Sequence, residues 1–199
     1  MALLEARAPD DPYRLFAAWY REAERADEPQ PDAVALATAG ADCQPAVRMV
    51  LFKGVDEGAF LFYSNYGSGK GRALSENGRA AMAFHWSSTG HQVRVSGTVR
   101  RLSRTASAAY FHSRPRGAQL SALASRQSRI VASRDVMEKA VARLASEHPG
   151  EVSLPRDWGG YALRPRWIEF WEHREDRLHD RLRYVRRRDG RWRLERLSP

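Results

Sequence analysis

Near the C-terminus an aromatic run, Trp167, Ile168, Glu169, Phe170 and Trp171, leads through a polar gap into Arg177, Leu178, His179, Asp180 and Arg181. Two fixed cations and one titratable ring beside a hydrophobic wall suit a planar, anionic ligand. Arg177 and His179 stand two apart and project together if the segment is extended. A salt-bridged turn, with Asp176 and Asp180 as the local carboxylates, is the plainer alternative. Complementary parts lie upstream. Tyr110 and Arg114 are four apart at an expected helix end, which lets a phenol and a guanidinium converge on one phosphate. In the strand-like run Arg48, Met49, Val50, Leu51, Phe52 and Lys53, alternation sends Arg48, Val50 and Phe52 to one face and Met49, Leu51 and Lys53 to the other. The cations therefore flank the strand on opposite sides.

Tyr63, Ser64, Asn65, Tyr66, Gly67 and Ser68 leave a strand and enter a helix near Lys70. Such a small-residue turn offers unpaired N–H groups and a favourable dipole to a phosphate, although the same residues serve in generic turns. Gln92 falls in a strand, and Gln127 with Ser128 where a helical segment ends. Carboxamides both donate and accept, so they can pair with a heterocycle's imide edge or satisfy backbone. His85, His91, His112, His148 and His173 show no metal-ligand spacing.

These groups must be positioned by one core. A chain of 199 residues suits a single domain, taken as residues 10–199 behind a flexible N-terminus over residues 1–9. Its one cysteine, Cys43, permits no internal disulfide and suits a reducing interior. Neither a basic start with an apolar run nor a stretch near the roughly 20 apolar residues of a membrane span is present, so a cytoplasmic protein without membrane attachment is expected. The net charge of +9 is carried mainly by arginine, since Lys53, Lys70 and Lys139 are the only lysines. Arginine grips phosphate and carboxylate bidentately. The densest run, Arg186 to Arg188, precedes a hairpin signal at Asp189 and Gly190, and no nucleic-acid motif accompanies it; a solvated hairpin is expected rather than a nucleic-acid surface.

Asp10 and Asp11 before Pro12, with Leu15, Phe16, Trp19 and Ala23 at helical spacing, predict an opening helix. Strands are expected at 33–39, 45–53, 59–64, 79–86, 91–102, 160–171, 181–188 and 191–197, and helices at 68–76, 104–112, 116–124 and 134–147. A strand meander interrupted by helices, without regular βαβ alternation, argues against a Rossmann sheet and for a mainly β, α+β fold: a closed or nearly closed barrel with peripheral helices.

Taken together, RMVLFK at 48–53, YSN at 63–65 with Lys70, Gln92, YFHSRPR at 110–116, Gln127 with Ser128, Trp171 and RLHDR at 177–181 resemble the pyridoxine/pyridoxamine 5'-phosphate oxidases over about residues 11–199. The resemblance implies an FMN-binding split β-barrel and a homodimer with two composite FMN sites at the subunit interface. It implies FMN contacts from Arg48, Met49, Val50, Leu51, Phe52, Lys53, Tyr63, Ser64, Lys70, Gln92, Gln127, Ser128, Trp171 and Arg181. Lys53, Tyr110 and Arg114 would hold a substrate phosphate, and Arg177 and His179 would hold the ring at the catalytic centre. The activity implied is oxidation of pyridoxine or pyridoxamine 5'-phosphate to pyridoxal 5'-phosphate, with dioxygen reduced to hydrogen peroxide. Three departures point to an alternative, an FMN oxidase of a reduced tricyclic aromatic carboxylate in phenazine-type metabolism. Gly69 precedes Lys70 where the family usually has arginine, Ala118 stands where it has serine, and no tyrosine precedes Tyr13 to complete an N-terminal arm with Arg7. A non-catalytic flavin- or haem-binding barrel is the alternative of another class.

Overall fold

The computed structural model describes residues 3–199. Helix α1 (Pro12–Arg25) opens the fold: the Asp11 carboxylate accepts from the Tyr13 N–H as its N-cap, and Pro12 occupies the first turn, where its missing N–H is harmless. Phe16, Trp19 and Ala23 form its buried face. There follow β1 (Ala33–Ala39), β2 (Pro45–Leu51), β3 (Val55–Asp56), β4 (Ala59–Asn65), α2 (Gly69–Glu76), β5 (Arg79–Trp86) and β6 (His91–Arg101). Three helices come next, α3 (Arg104–Ser113), α4 (Arg116–Ala124) and α5 (Arg134–Glu147), then β7 (Trp158–Glu172), β8 (Asp180–Arg186) and β9 (Trp192–Arg196). The expected elements all occur with bounds shifted by about two residues at most, the usual fraying of ends. Strand β3 and the single 3-10 turns at Glu5–Arg7 and Glu175–Arg177, all too short to carry a periodicity, are the additions.

The strands form one antiparallel sheet in the order β2-β1-β5-β6-β7-β4-β3, with β8 and β9 branching from β7. The branch exists because β7 is 15 residues long. Its first six residues pair with β4, Tyr161 opposite Phe62, and its last six pair with β8, Trp171 opposite Arg181, while β6 runs along most of its length. A bulge at Ser96 and Gly97 bends β6 around this fork. Only glycine fits there, since a Cβ on Gly97 would lie 2.0 Å from the Arg164 carbonyl oxygen. The sheet closes where β2 exits towards β4: the Lys53 N–H donates to Leu61 O at 2.8 Å and the Leu61 N–H to Gly54 O at 2.9 Å. The result is the nearly closed barrel that the strand pattern predicts, in the split form that the resemblance implies.

Alternation fills the barrel from inside, β1 burying Val34, Leu36 and Thr38. Phe16 of α1 enters edge-on between Phe52, Phe60 and Phe84, with ring centroids at 5.4, 4.9 and 5.0 Å. Each such buried side chain stabilises by about 1.5–3 kcal/mol. A satellite core of Phe111, Leu120, Val152 and Trp158 fastens the peripheral helices to the barrel. Sequence periodicity leaves residues 1–9 without an element; in the structure Leu3 is buried, Arg196 Nη2 donates to Leu3 O at 2.7 Å, and the Tyr184 hydroxyl donates to Pro9 O at 2.8 Å. No helix among the described residues is long and apolar enough to cross a membrane.

Candidate functional site

Strand β2 forms an edge of the sheet, and its exit, together with β4, the start of α2 and the helices α3 and α4, encloses a cavity of about 430 Å³. Met49, Val50, Leu51 and Lys53 line it from β2 and its exit, Tyr63, Ser64 and Asn65 from β4, and Lys70 from α2. Tyr110, Arg114, Ser121, Ala122, Ser125, Gln127 and Trp158 complete it. Eleven of the residues singled out in the sequence thus meet around one space, although they span positions 49 to 127.

Its electrostatics are one-sided: no aspartate or glutamate is among these lining residues. Lys70, buried at the first turn of α2, donates to Ser64 Oγ at 2.9 Å and to Gln127 Oε1 at 3.0 Å, and Ser64 Oγ donates in turn to Gln127 Oε1. Burial, and then the charge of Arg48, push the Lys70 ammonium below its ordinary pKa. Arg114 follows the last residue of α3 in an extended conformation. Its guanidinium lies 4.9 Å from the Trp158 ring centroid, its Nη1 is buried with no hydrogen-bond partner, and burial lowers its pKa. Tyr63 and Tyr110 stack at 3.8 Å and 21°, with Trp158 nearly parallel to both, so the wall is a set of flat aromatic faces. Burial raises the Tyr63 hydroxyl pKa, keeping it a neutral donor. A cationic, aromatic-walled cavity with an unsatisfied guanidinium is chemically matched to an anionic group on a flat ring.

Other expected residues are placed elsewhere. Phe52 turns its ring into the core and is only 7% exposed, on the strand face from which Val50 also packs against that core, so Phe52 has no ligand-facing side chain. Arg48 Nη1 donates to Leu36 O at 2.9 Å and Thr38 Oγ1 at 2.8 Å beneath the site. Ser128, in a left-handed conformation (φ 68°), accepts the Gly69 N–H through Oγ, behind Lys70. Arg72 donates to Gly67 O, so it does not extend into the cavity to replace a residue at Gly69. Ser121, one helical turn beyond Ala118, does present a side chain there.

Gln92, Trp171 and Arg181 form a second group, opposite one another on β6, β7 and β8 and therefore on one face of the sheet. Arg181 is anchored on buried Glu169, at 2.9 Å, and that carboxylate also pairs with Arg94. The His179 ring packs 4.5 Å from that of Trp171, and its Nδ1 accepts the Arg174 N–H at 3.2 Å, which leaves Nε2 as the ring's donor. Arg177 is exposed. The segment carrying Arg177 and His179 is not extended: Asp176 and Arg177 adopt φ of 54° and 61° in a turn strapped by Arg174 to Asp180 and Glu172. The period-two argument for their convergence therefore fails, and their placement comes from the turn. None of Gln92, Trp171, Arg177, His179 and Arg181 lines the cavity within one chain.

Sequence reasoning missed Trp158, Ser121 and Ser125, which no short-range pattern marks, and Asp32, whose carboxylate pairs with Lys53 at 2.8 Å.

Comparison with known proteins adds to this geometry. The family described as pyridoxamine 5'-phosphate oxidase matches residues 21–147, and the pyridoxine 5'-phosphate oxidase C-terminal dimerisation region matches residues 158–199. The chain is 48% identical over 198 residues to a pyridoxine/pyridoxamine 5'-phosphate oxidase of Cupriavidus metallidurans, covering 100% of this chain and 93% of the relative. It is 51% identical over 194 residues to that of Salinibacter ruber, with 96% and 90% covered. Among solved structures, PhzG from Burkholderia lata, in complex with tetrahydrophenazine-1-carboxylic acid, superposes with a TM-score of 0.93 at 31% identity, covering 100% and 98%. A pyridoxamine 5'-phosphate oxidase-related, FMN binding protein from Nostoc punctiforme shares the fold, with a TM-score of 0.77 at 20% identity, covering 95% and 98%.

Proposed function

Because the chain belongs to the pyridoxine/pyridoxamine 5'-phosphate oxidase family, we propose that the cavity between β2, β4 and α3 holds FMN together with the phosphate of the substrate. The protein is an oxidase of pyridoxine and pyridoxamine 5'-phosphates. The alcohol and dioxygen give pyridoxal 5'-phosphate and hydrogen peroxide; the amine, dioxygen and water give the same products plus ammonia. The observation that carries the reading is Arg114, whose Nη1 is buried and unpartnered beside Lys53 and Lys70 in a cavity without acidic lining. An empty donor of this kind is costly unless an anion meets it.

The residues fit FMN. Lys70, at the first turn of α2, with Ser64 and Gln127, suits a phosphate, while the β2 backbone and the carboxamide of Gln127 suit the edge of a flat ring. What FMN supplies when bound is a two-electron acceptor that dioxygen can reoxidise. The chain supplies position and field. Lys53, Tyr110 and Arg114 hold the substrate phosphate, and the aromatic wall of Tyr63, Tyr110 and Trp158 excludes water beside it. Arg177 and His179 hold the ring, with the Nε2–H of His179 as donor to a ring substituent.

Since Gln92, Trp171, Arg177, His179 and Arg181 lie outside this cavity in one chain, a homodimer completes the site, a second copy bringing that group against the first copy's cavity. The dimerisation-region match and an apolar ridge on edge strand β2 support this. Val47, Met49 and Leu51 are 69%, 63% and 47% exposed, and the last two also line the cavity. Val47→Lys is expected to yield monomers by light scattering and to release flavin on gel filtration; a dimer with full flavin content places the interface elsewhere. Cys43, exposed and unpaired, accords with the cytoplasmic location we propose.

The direct test is to record the visible spectrum of the purified protein and add pyridoxamine 5'-phosphate without oxygen. Bleaching of a flavin band is the expected result. A bound flavin that stays oxidised moves the assignment to a reduced tricyclic aromatic carboxylate, which the likeness to PhzG, Gly69 and Ala118 favour as a second reading.

A further inference from the structure

We propose that Asp32 is a positioning residue that weakens the hold of Lys53 on the substrate phosphate and so eases departure of the phosphorylated product. The inference rests on the reading that Lys53 binds that phosphate. Lys53 Nζ lies 2.8 Å from Asp32 Oδ2, and the two side chains are 25% and 28% exposed. Lys53 lines the cavity and Asp32 does not, so the carboxylate meets the ammonium from outside the cavity that an anion would occupy. Both backbones are fixed, the Phe52 N–H donating to Asp32 O and the Lys53 N–H to Leu61 O, each at 2.8 Å. The pair sits just beyond the end of the β1–β2 ladder, whose last registered partners are Ala33 and Leu51.

The other cations near the site have no such counter-charge. Lys70 donates to hydroxyl and carboxamide oxygens, and Arg48 to a carbonyl and a hydroxyl. Arg114 lies over Trp158 with Nη1 unpartnered. Lys53 is the cation among these four that is paired with a carboxylate. An anion reaching Lys53 therefore meets a charge already half-committed, and a phosphate dianion is repelled by Asp32 beside it. The phosphate is common to substrate and product. Tightening it is uniform binding, which does not speed the chemical step and retards product release. A carboxylate beside one of the phosphate-binding cations reduces that drag while Arg114 keeps specificity.

Asp32→Asn retains an oxygen to receive the lysine N–H and removes only the charge. The variant is expected to lower the inhibition constants for inorganic phosphate and for pyridoxal 5'-phosphate by about 3- to 10-fold, to lower KM for pyridoxamine 5'-phosphate similarly, and to lose much of this effect at high salt. The fall in KM comes without a rise in kcat, which drops where product release limits turnover. An inhibition constant for inorganic phosphate that is unchanged or higher overturns the proposal. Lys53→Met separates the two levels. If it leaves KM and phosphate inhibition unaltered, the assignment of Lys53 fails, and that of Asp32 with it. If Lys53→Met weakens both while Asp32→Asn tightens neither, only the role of Asp32 is overturned.

Discussion

Arg114→Ala is expected to lower kcat/KM for pyridoxamine 5'-phosphate about a hundredfold or more, with most of the loss in KM. A charge-assisted hydrogen bond contributes about 1.5–3 kcal/mol, and a guanidinium fork offers two to a phosphate. The structure adds a second readout. Without ligand, Arg114 is a destabilising element, a cation whose Nη1 is buried without a partner and whose pKa burial has lowered. Its removal should leave the melting temperature of the flavin-free protein unchanged or slightly raised, because an uncompensated buried donor disappears. Loss of activity with retained stability is the signature of a group kept for binding. Arg114→Lys restores a charge but not the fork, so it should recover only part of the loss. A KM within twofold of the parent would remove Arg114 from the site.

Gly71→Ala should destabilise the flavin-free protein by about 3 kcal/mol, lowering its melting temperature by roughly 10 °C, and should abolish retention of the cofactor. A Cβ on Gly71 would stand 2.2 Å from the Tyr66 carbonyl oxygen and 2.9 Å from that of Asn65, both rigid backbone. Helix α2 must therefore lift from the β4 exit. That movement breaks the cap in which the Gly71 N–H donates to Ser68 Oγ, and it draws Lys70 away from Ser64 and Gln127. Calorimetry at fixed protein concentration and the flavin absorbance after gel filtration check the two parts. An unaltered melting temperature would mean that α2 yields without strain, and the close packing would then have no role in setting Lys70.

Much of the barrel was legible in the chain because its signals are local. The β1 run of alanine, valine and leucine alternates with period two, and its buried Val34, Leu36 and Thr38 are the residues that pattern selects. Asp11 and Pro12 marked the start of α1, and Asp189 with Gly190 the last hairpin, where Gly190 adopts φ 85°. The candidate site was legible where chemistry and spacing coincide, as in Tyr110 with Arg114 and Ser64 with Lys70. It was misread where a local rule was extended across a turn. Period-two reasoning applied to Arg177 and His179 assumes extended backbone, whereas two residues there are left-handed because Arg174 binds Asp180 and Glu172 across the loop.

Residue types and short spacings thus determined by themselves the strands, the helices and the cationic, aromatic character of the ligand site. Local backbone preference and side-chain periodicity act over a few residues, and a sequence displays them directly. The partners were decided by the closed sheet alone. Only closure of β2 on β4 forms the cavity between Lys53 and Tyr63, only the end of the β1–β2 ladder sets Asp32 beside Lys53, and only the fork in β7 separates Trp171 and Arg181 from Lys70 and Arg114. These contacts join residues from about ten to about a hundred positions apart, and their energies depend on burial and orientation, which exist only once the chain is folded.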